Sequence, residues 1–349
     1  MSDTSIQDFI FDLSPEKLRE IISSAGEPSF RVDQIWKALY VNLVENPEQI
    51  STLSKTLRSR LSADLSFSHL DLVTRLSSKD GTTIKTLFRL PDGKMLESVL
   101  MRYDERNTLC ISSQSGCAMG CVFCATGQMG FGRNLSSGEI IEQVLFFARE
   151  LASVGKVVTN IVVMGMGEPF QNYDAVLEAI RRLNDPLGFN LGARRFTIST
   201  VGIVPMIRRF ADEKNQVNLA ISLHAANDDH RTSLLPVNRK YPIKELIDAC
   251  RYYVETTHRR ITFEWALIQE VNDFEQDARE LAGLIKGLLC HVNIIPLNPT
   301  RKFTGKSTTH ERALAFQAVL VKNGIPCTIR LRRGLDINAG CGQLASTVQ

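Results

Sequence analysis

The stretch Ser115-Gly-Cys-Ala-Met-Gly-Cys-Val-Phe-Cys-Ala-Thr-Gly127 sets Cys117, Cys121 and Cys124 in a Cys-x3-Cys-x2-Cys array. Three thiols so close together, interleaved with Gly116, Gly120 and Gly127, describe a loop wrapped around a soft ligand. Thiolates favour zinc, copper(I) or iron–sulfur clusters over hard cations such as magnesium. A structural zinc usually draws four ligands from two separated pairs, and the chain has no second pair with that spacing. A cubane cluster held by three cysteines leaves one iron open to a substrate or cofactor. A small zinc loop, or simply buried thiols, is the plainer alternative.

Length and composition set outer bounds. A chain of 349 residues can hold one large domain with an appendage, or two domains. The 44% hydrophobic and 23% charged residues are ordinary for a globular protein. The start, 1–14, carries Asp3, Asp8 and Asp12 and lacks the basic-then-apolar order of a signal peptide. No apolar run approaches the roughly 18 residues a membrane helix needs, so no membrane association is expected. Of eight cysteines, half crowd residues 110–124, which is no disulfide framework. A reducing cytoplasm fits that distribution.

Net charge is only +3, but it is unevenly placed. Residues 1–65 carry seven Lys/Arg against ten Asp/Glu, whereas residues 301–333 carry eight Lys/Arg against Glu311 alone. That basic segment is either the footprint of a phosphate backbone or a solvated charged face.

Residues 14–65 read as short helices. Ser14-Pro15-Glu16 is a cap with proline at the first helical position, and Leu18, Ile21 and Ile22 recur at helical spacing. Ile35, Trp36, Leu39 and Tyr40 make a second apolar stripe, with Trp36 and Tyr40 read as core rather than as a base-stacking platform. Leu53, Leu57 and Leu61 mark another helix. From residue 72 the period becomes two. Runs at 72–76, 83–89 and 95–102, separated by Lys79-Asp80-Gly81 and Pro91-Asp92-Gly93, read as a β-meander.

Beyond Cys124 strands and helices alternate. Strands are expected at 157–163, 195–200, 217–223, 261–267, 291–295 and 326–331, with helices at 136–152, 173–183, 204–210, 243–256, 273–287 and 311–322. Such alternation implies a parallel sheet. With 110–112 it gives six or seven strands, enough for a partial α/β barrel whose chemistry sits at the C-terminal strand ends. Gly165-Met-Gly-Glu-Pro169 follows the 157–163 strand, Ser199-Thr-Val-Gly202 the next, then Ser222-Leu-His224, and Asn298-Pro299. Each alone is a capped turn, but four successive ones describe a ligand-binding rim. Near the end, Gly340-Cys341-Gly342 presents a thiol on a glycine-rich loop or buries a small apolar residue.

The cysteine array, with Phe123 before its last cysteine, resembles the signature of the radical S-adenosylmethionine (SAM) enzymes. Together with the helical front domain, Gly-Met-Gly-Glu-Pro, Ser-Leu-His and the cysteine-bearing tail, the chain resembles the RlmN/Cfr family of radical SAM RNA methyltransferases. Pro169 and the front domain look more like the RlmN branch, which acts on adenine carbon 2, than the Cfr branch, which acts on carbon 8. The resemblance implies an α/β fold, a partial (β/α)6 radical SAM barrel. An N-terminal helical RNA-binding domain would span 1–70, a β-meander linker 71–95, and the radical SAM core with its reactive-cysteine loop 96–345. It implies a [4Fe-4S] cluster on Cys117, Cys121 and Cys124. SAM, two molecules per turnover, would sit on Gly167, Glu168, Ser199, Ser222, Leu223, His224 and Asn298.

The implied reaction methylates carbon 2 of an adenine in 23S rRNA, and of one in tRNA. Cys341 takes a methyl group from one SAM; a 5′-deoxyadenosyl radical from a second SAM activates that S-methyl group, which adds to the base. Glu97 matches the family's general base. Cys110 matches the cysteine that attacks Cys341 and frees the product as a disulfide forms. The implied partners are the RNA, contacted through the front domain and residues 301–333, and an electron donor such as flavodoxin; a monomer is expected. One departure is Gly340, where the family commonly has alanine; the exchange suggests a slightly freer loop. Rival readings are a Cfr-like carbon 8 enzyme, a radical SAM enzyme with a small-molecule substrate, and a non-catalytic zinc-binding RNA adaptor.

Overall fold

A computed structural model describes residues 7–345 of the chain. The first six residues of the acidic start, with Asp3, lie outside the described residues.

The front of the chain forms helices Pro15–Ser24, Phe30–Tyr40 and Lys55–Asp64. Ser14 caps the first, its Oγ accepting from Lys17 N at 3.1 Å, and Ser54 caps the third in the same way. Isolated helices this short are marginal in water, so the elements persist by burying one face. Trp36 and Tyr40 are in that face, as expected, at 9% and 2% exposure. Phe11 meets Tyr40 edge-on, and Trp36 Nε1 donates to Asp185 Oδ2 at 3.0 Å. Arg182 Nη1 donates to Phe11 O at 2.6 Å. The long helix Ser137–Ala152 comes so close that a Cβ on Gly138 would stand 2.8 Å from the Phe9 ring. The front helices therefore share one apolar core with the rest of the chain.

The central sheet has ten strands whose spatial order is their chain order, from Asp71–Ser77 to Cys327–Ile329. The first four, Asp71–Ser77, Thr83–Arg89, Met95–Arg102 and Asn107–Cys110, are an antiparallel meander. Residues 71–95, expected as a linker, are thus hydrogen-bonded into the same sheet as the core. Asn107–Cys110 turns the pattern: Cys110 pairs antiparallel with Val99 on one side and parallel with Val162 on the other. From there every neighbour is parallel, through Asn160–Val163, Phe196–Thr200, Asn218–Ser222, Ile261–Leu267, Cys290–Pro296 and Cys327–Ile329. Seven parallel strands with intervening helices agree with the expected partial barrel. Their C-terminal ends share one rim.

Among the described residues no ladder joins the two outermost strands, so the barrel is open. The segment after the last strand crosses that opening. Arg333 Nη1 donates to Arg102 O at 3.3 Å, and its guanidinium lies 4.3 Å from the centre of the Tyr103 ring. Lys79 N donates to Asp336 at 2.8 Å and Lys85 Nζ to Asn338 O at 3.3 Å. This strap carries Cys341 to the rim.

Two strands are shorter than their apolar runs suggest. Only Asn160–Val163 of the 157–163 run joins the sheet, and Val157 is 68% exposed because the chain is still leaving the turn at Gly155, where φ is +69°. Only Cys327–Ile329 of 326–331 pairs. Sequence reading also missed a short hairpin, Gln114–Gly116 with Phe131–Asn134, and two short helices, Ala125–Met129 and Asp228–Leu234. All of these border the cysteine array. No helix among the described residues is long and apolar enough to cross a membrane.

Candidate active site

The hairpin Gln114–Gly116/Phe131–Asn134 clamps both ends of the cysteine loop. A side chain at Gly116 is impossible there: φ is +79° and a Cβ would stand 2.1 Å from Gly130 O. Cys117 N donates to Gly130 O at 2.8 Å, Cys124 N to Cys121 O at 3.1 Å, and Val122 N to Leu234 O at 3.1 Å. These backbone bonds fix the conformation of the loop. Cys117, Cys121 and Cys124 all line one cavity at the C-terminal rim of the barrel.

The donor set decides which ligand fits. Among the described residues no three Cys, His, Asp or Glu side chains converge on a single-ion site. The three cysteines line one cavity, an all-thiolate donor set of the kind soft metals and iron–sulfur clusters take. Burial pushes the Cys117 thiol up to about 12 and the Cys121 thiol well above its usual value. The cationic iron–sulfur core of a cluster would reverse that preference, because a coordinated thiol is deprotonated. The residues fit a three-cysteine iron–sulfur cluster.

The strand ends supply the rest of the wall. Gly167 has φ +102°, and a Cβ there would meet Gln114 Cβ at 2.6 Å. Gln114 Oε1 in turn accepts from Glu168 N at 2.8 Å. Glu168 is 2% exposed; its oxygens accept from Phe170 N at 3.0 Å and Val201 N at 2.9 Å. Burial raises its carboxyl to about 7. Ser199, Ser222, His224 and Asn298 line the same cavity, while Leu223 is fully buried behind it. Asn298 Nδ2 donates to Cys341 O at 3.0 Å. Its Oδ1 is buried and has no hydrogen-bond partner among the described residues, leaving an acceptor for a ligand's amine or hydroxyl.

His224 holds a left-handed backbone, φ +60°, and its Nδ1 accepts from Ala266 N at 2.9 Å. The neutral ring therefore carries its proton on Nε2. Burial first, then the Arg231 cation, lowers its pKa to about 3. The folded state binds this proton only near pH 3, whereas an unfolded histidine takes it up near 6.5. The stability it contributes is therefore complete above 6.5 and lost as pH falls toward 3. His224→Asn keeps an acceptor for Ala266 N and suits the left-handed backbone. Denaturant melts from about pH 6.5 down to about 4 are expected to move in the variant's favour by about 1.4 kcal/mol per pH unit. A pH-independent difference would refute the buried neutral imidazole.

Cys341 reaches this cavity from the strap. Ala125 N donates to Gly342 O at 2.7 Å, Thr126 Oγ1 to Leu344 O at 2.7 Å, and Gln343 Nε2 to Pro299 O at 2.9 Å. Every one of these tethers leaves the Cys341 sulfur free. The residue is solvent-accessible, yet protein surrounds it, because its accessible face looks into the cavity. Burial lifts its thiol to about 11, with Arg330 pulling the other way. Cys110, at the rim end of its strand, lines the cavity too. Its thiol rises to about 12 through burial and then through the charge of Cys341. The two thiols are free and share one cavity.

Gly340 does not loosen this loop, as sequence reading suggested. A Cβ there would stand 2.7 Å from both Asn298 Nδ2 and Gln343 Oε1, so those amides fill the space. Glu97 lies on the same strand face as Val99 and Met101, which line the cavity. Its own carboxylate is set under the tail, 3.3 Å from Lys85 Nζ and accepting from Ala345 N at 2.9 Å. Arg330, Glu264 and the buried Arg231 were not anticipated. A buried arginine in an amphipathic stretch reads like any surface charge.

Comparison with known proteins agrees with this geometry. The profile of the Radical SAM superfamily matches residues 111–282. The Ribosomal RNA large subunit methyltransferase N-terminal domain matches residues 10–66. A probable dual-specificity RNA methyltransferase RlmN of Chloroflexus aurantiacus is 49% identical over 96% of this chain and 92% of its own. The chain belongs to the RlmN family. A dual-specificity RNA methyltransferase RlmN 1 of Myxococcus xanthus is 47% identical over the full chain and 96% of its own length. A crystal structure of a radical SAM methyltransferase from Sphaerobacter thermophilus superposes with a TM-score of 0.95 at 50% identity, covering 97% of this chain and all of that one. As an RlmN-family radical SAM RNA methyltransferase, this chain uses a [4Fe-4S] cluster and SAM as cofactors.

Proposed function

We propose that this enzyme methylates carbon 2 of an adenine in 23S rRNA, and of an adenine in tRNA, through an S-methylcysteine at Cys341. The single observation that carries the reading is that Cys110 and Cys341 open onto the same cavity as the three cluster cysteines. A simple SAM-dependent transferase has no use for two free thiols beside a cluster. The match to a ribosomal RNA methyltransferase N-terminal domain supports the rRNA target and the RlmN branch, and the relatives' name, dual-specificity, supports a second RNA.

Cys117, Cys121 and Cys124 would hold the cluster, while Gly167, Glu168, Ser199, Ser222, Leu223, His224 and Asn298 would seat SAM. The loaded site supplies a methyl group and the one-electron chemistry that makes an S-methyl carbon reactive. Cys341 Sγ, as thiolate, would attack the methyl carbon of SAM, with S-adenosylhomocysteine as the leaving group, and would carry the methyl to the base. Glu97, the match to the family's base, would remove the proton from carbon 2 once the tail at Ala345 lifts from its carboxylate. Cys110 Sγ, as thiolate, would then attack Cys341 Sγ, and the S–S bond forms. The electron pair of the broken bond from Cys341 Sγ to carbon stays on the bridging carbon, and that carbon takes up a proton to become the product's methyl. The enclosing cavity, lined by Val99, Met101, Val162 and Ile295, keeps water from that carbon. A monomer fed by a small reductant such as flavodoxin suits a site at one open rim, with the front domain of 1–70 and the basic 301–333 segment holding RNA.

Peptide mass spectrometry of the reconstituted protein, given SAM without RNA, is expected to find one added methyl group on Cys341 and none on Cys110. Normal SAM cleavage with Cys341 unmodified would overturn the S-methylcysteine route.

A further inference from the structure

Arg231 is the largest buried charge that the chemistry above leaves unexplained. It sits on the short helix Asp228–Leu234, is 0% exposed, and none of its hydrogen-bond partners is a carboxylate. Its Nη2 donates to Val201 O at 2.7 Å and Ser222 O at 3.2 Å, its Nε to Leu223 O at 3.2 Å, and its Nη1 to Asn238 Oδ1 at 2.8 Å. Asp228 is exposed on the far side of Asn238, its Oδ1 already accepting from Asn238 Nδ2 and Ile243 N. Burying a cation without a paired anion costs several kcal/mol. Something in the assembled enzyme offsets that cost.

The neighbourhood names the candidate. The same helix accepts Val122 N at Leu234 O, so the cysteine loop is bonded to the element that carries Arg231. Leu234 and Leu235 pack with Cys121 in one small apolar cluster. A cubane on three thiolates carries net negative charge, and reduction adds one unit more. A fixed buried cation favours the more negative state, because charge is weakly screened there, and cluster potentials follow local charge and hydrogen bonding.

We infer that Arg231 is a positioning residue with two tasks: it raises the cluster's reduction potential as a buried counter-charge, and it ties the ends of the Phe196–Thr200 and Asn218–Ser222 strands into the SAM-binding rim. The two tasks separate by substitution. Both variants lose donors, Lys keeping three and Gln two of the five, but only Arg231→Lys keeps the charge. The inference rests on the cluster and not on which adenine carbon is methylated.

The test is a potentiometric titration of the reconstituted full-length protein without SAM or RNA, followed by electron paramagnetic resonance of the reduced cluster. At the wild-type midpoint, Arg231→Gln is expected to show about a tenfold lower ratio of reduced to oxidised cluster, a downward shift of about 59 mV for a one-electron couple. Arg231→Lys is expected to keep the wild-type midpoint. A Gln variant at the wild-type midpoint, or a Lys variant shifted as far as Gln, would overturn the counter-charge role. Should the Gln chain take up no iron, the Lys variant decides alone: an unshifted midpoint supports the inference and a tenfold shift contradicts it.

Discussion

Cys341→Ala is expected to abolish RNA methylation, to below about a thousandth of the wild-type rate, since on the proposed route the change removes the thiol that would carry the methyl. The structure predicts that the variant still folds. The loop is held by Asn298 Nδ2 on Cys341 O, Ala125 N on Gly342 O and Thr126 Oγ1 on Leu344 O, and none of these uses the sulfur. The removed atom faces a cavity rather than filling a core. Thermal unfolding and iron content should therefore match the wild type. Loss of methylation together with loss of iron would point to a structural role; normal methylation would remove Cys341 from the chemistry.

Cys110→Ala is expected to stall one step later. On the proposed route Cys341, being intact, would still accept and deliver the methyl, but the thiol that would break the bond between Cys341 and the base is gone. A covalent protein–RNA adduct should accumulate on a denaturing gel, with free product falling to less than one turnover per enzyme. Loss of the half-buried thiol, at the end of the Asn107–Cys110 strand, costs no more than about 1 kcal/mol of packing, which a domain of this size tolerates. The two variants thus give opposite gels: no adduct from Cys341→Ala, abundant adduct from Cys110→Ala. Free product from Cys110→Ala at the wild-type rate would mean that another group resolves the intermediate.

What was legible in the sequence is what local chemistry dictates. The cysteine loop could be read because thiolate ligands at fixed short spacing have few other uses, and at Gly116 the structure leaves no room for a side chain. The parallel strands could be read from the alternation of strands with helices, and the rim from polar residues recurring at the strand ends. Trp36 and Tyr40 read correctly as core because aromatic residues on an apolar stripe usually pack. The strap from Arg333 to Ala345 could not be read, since it has no periodicity and earns its place only through bonds to Arg102, Lys79, Lys85 and Glu97. The meeting of Cys110 and Cys341, 231 positions apart, followed from family resemblance alone. The burial of Arg231 followed from nothing local: whether a charged residue on a short helix faces solvent or the core depends on what the rest of the chain packs against it. Gly340 shows the same limit, since its neighbours Asn298 and Gln343, and not its own freedom, decide how firmly the loop is held.

The account is tested most directly by nucleoside mass spectrometry of a 23S rRNA fragment after anaerobic turnover with the reconstituted enzyme, SAM and a reductant. The expected product is 2-methyladenosine at a single adenine. 8-Methyladenosine, or an unmethylated fragment from enzyme that has methylated its own Cys341 and cleaves SAM, would contradict the proposed reaction.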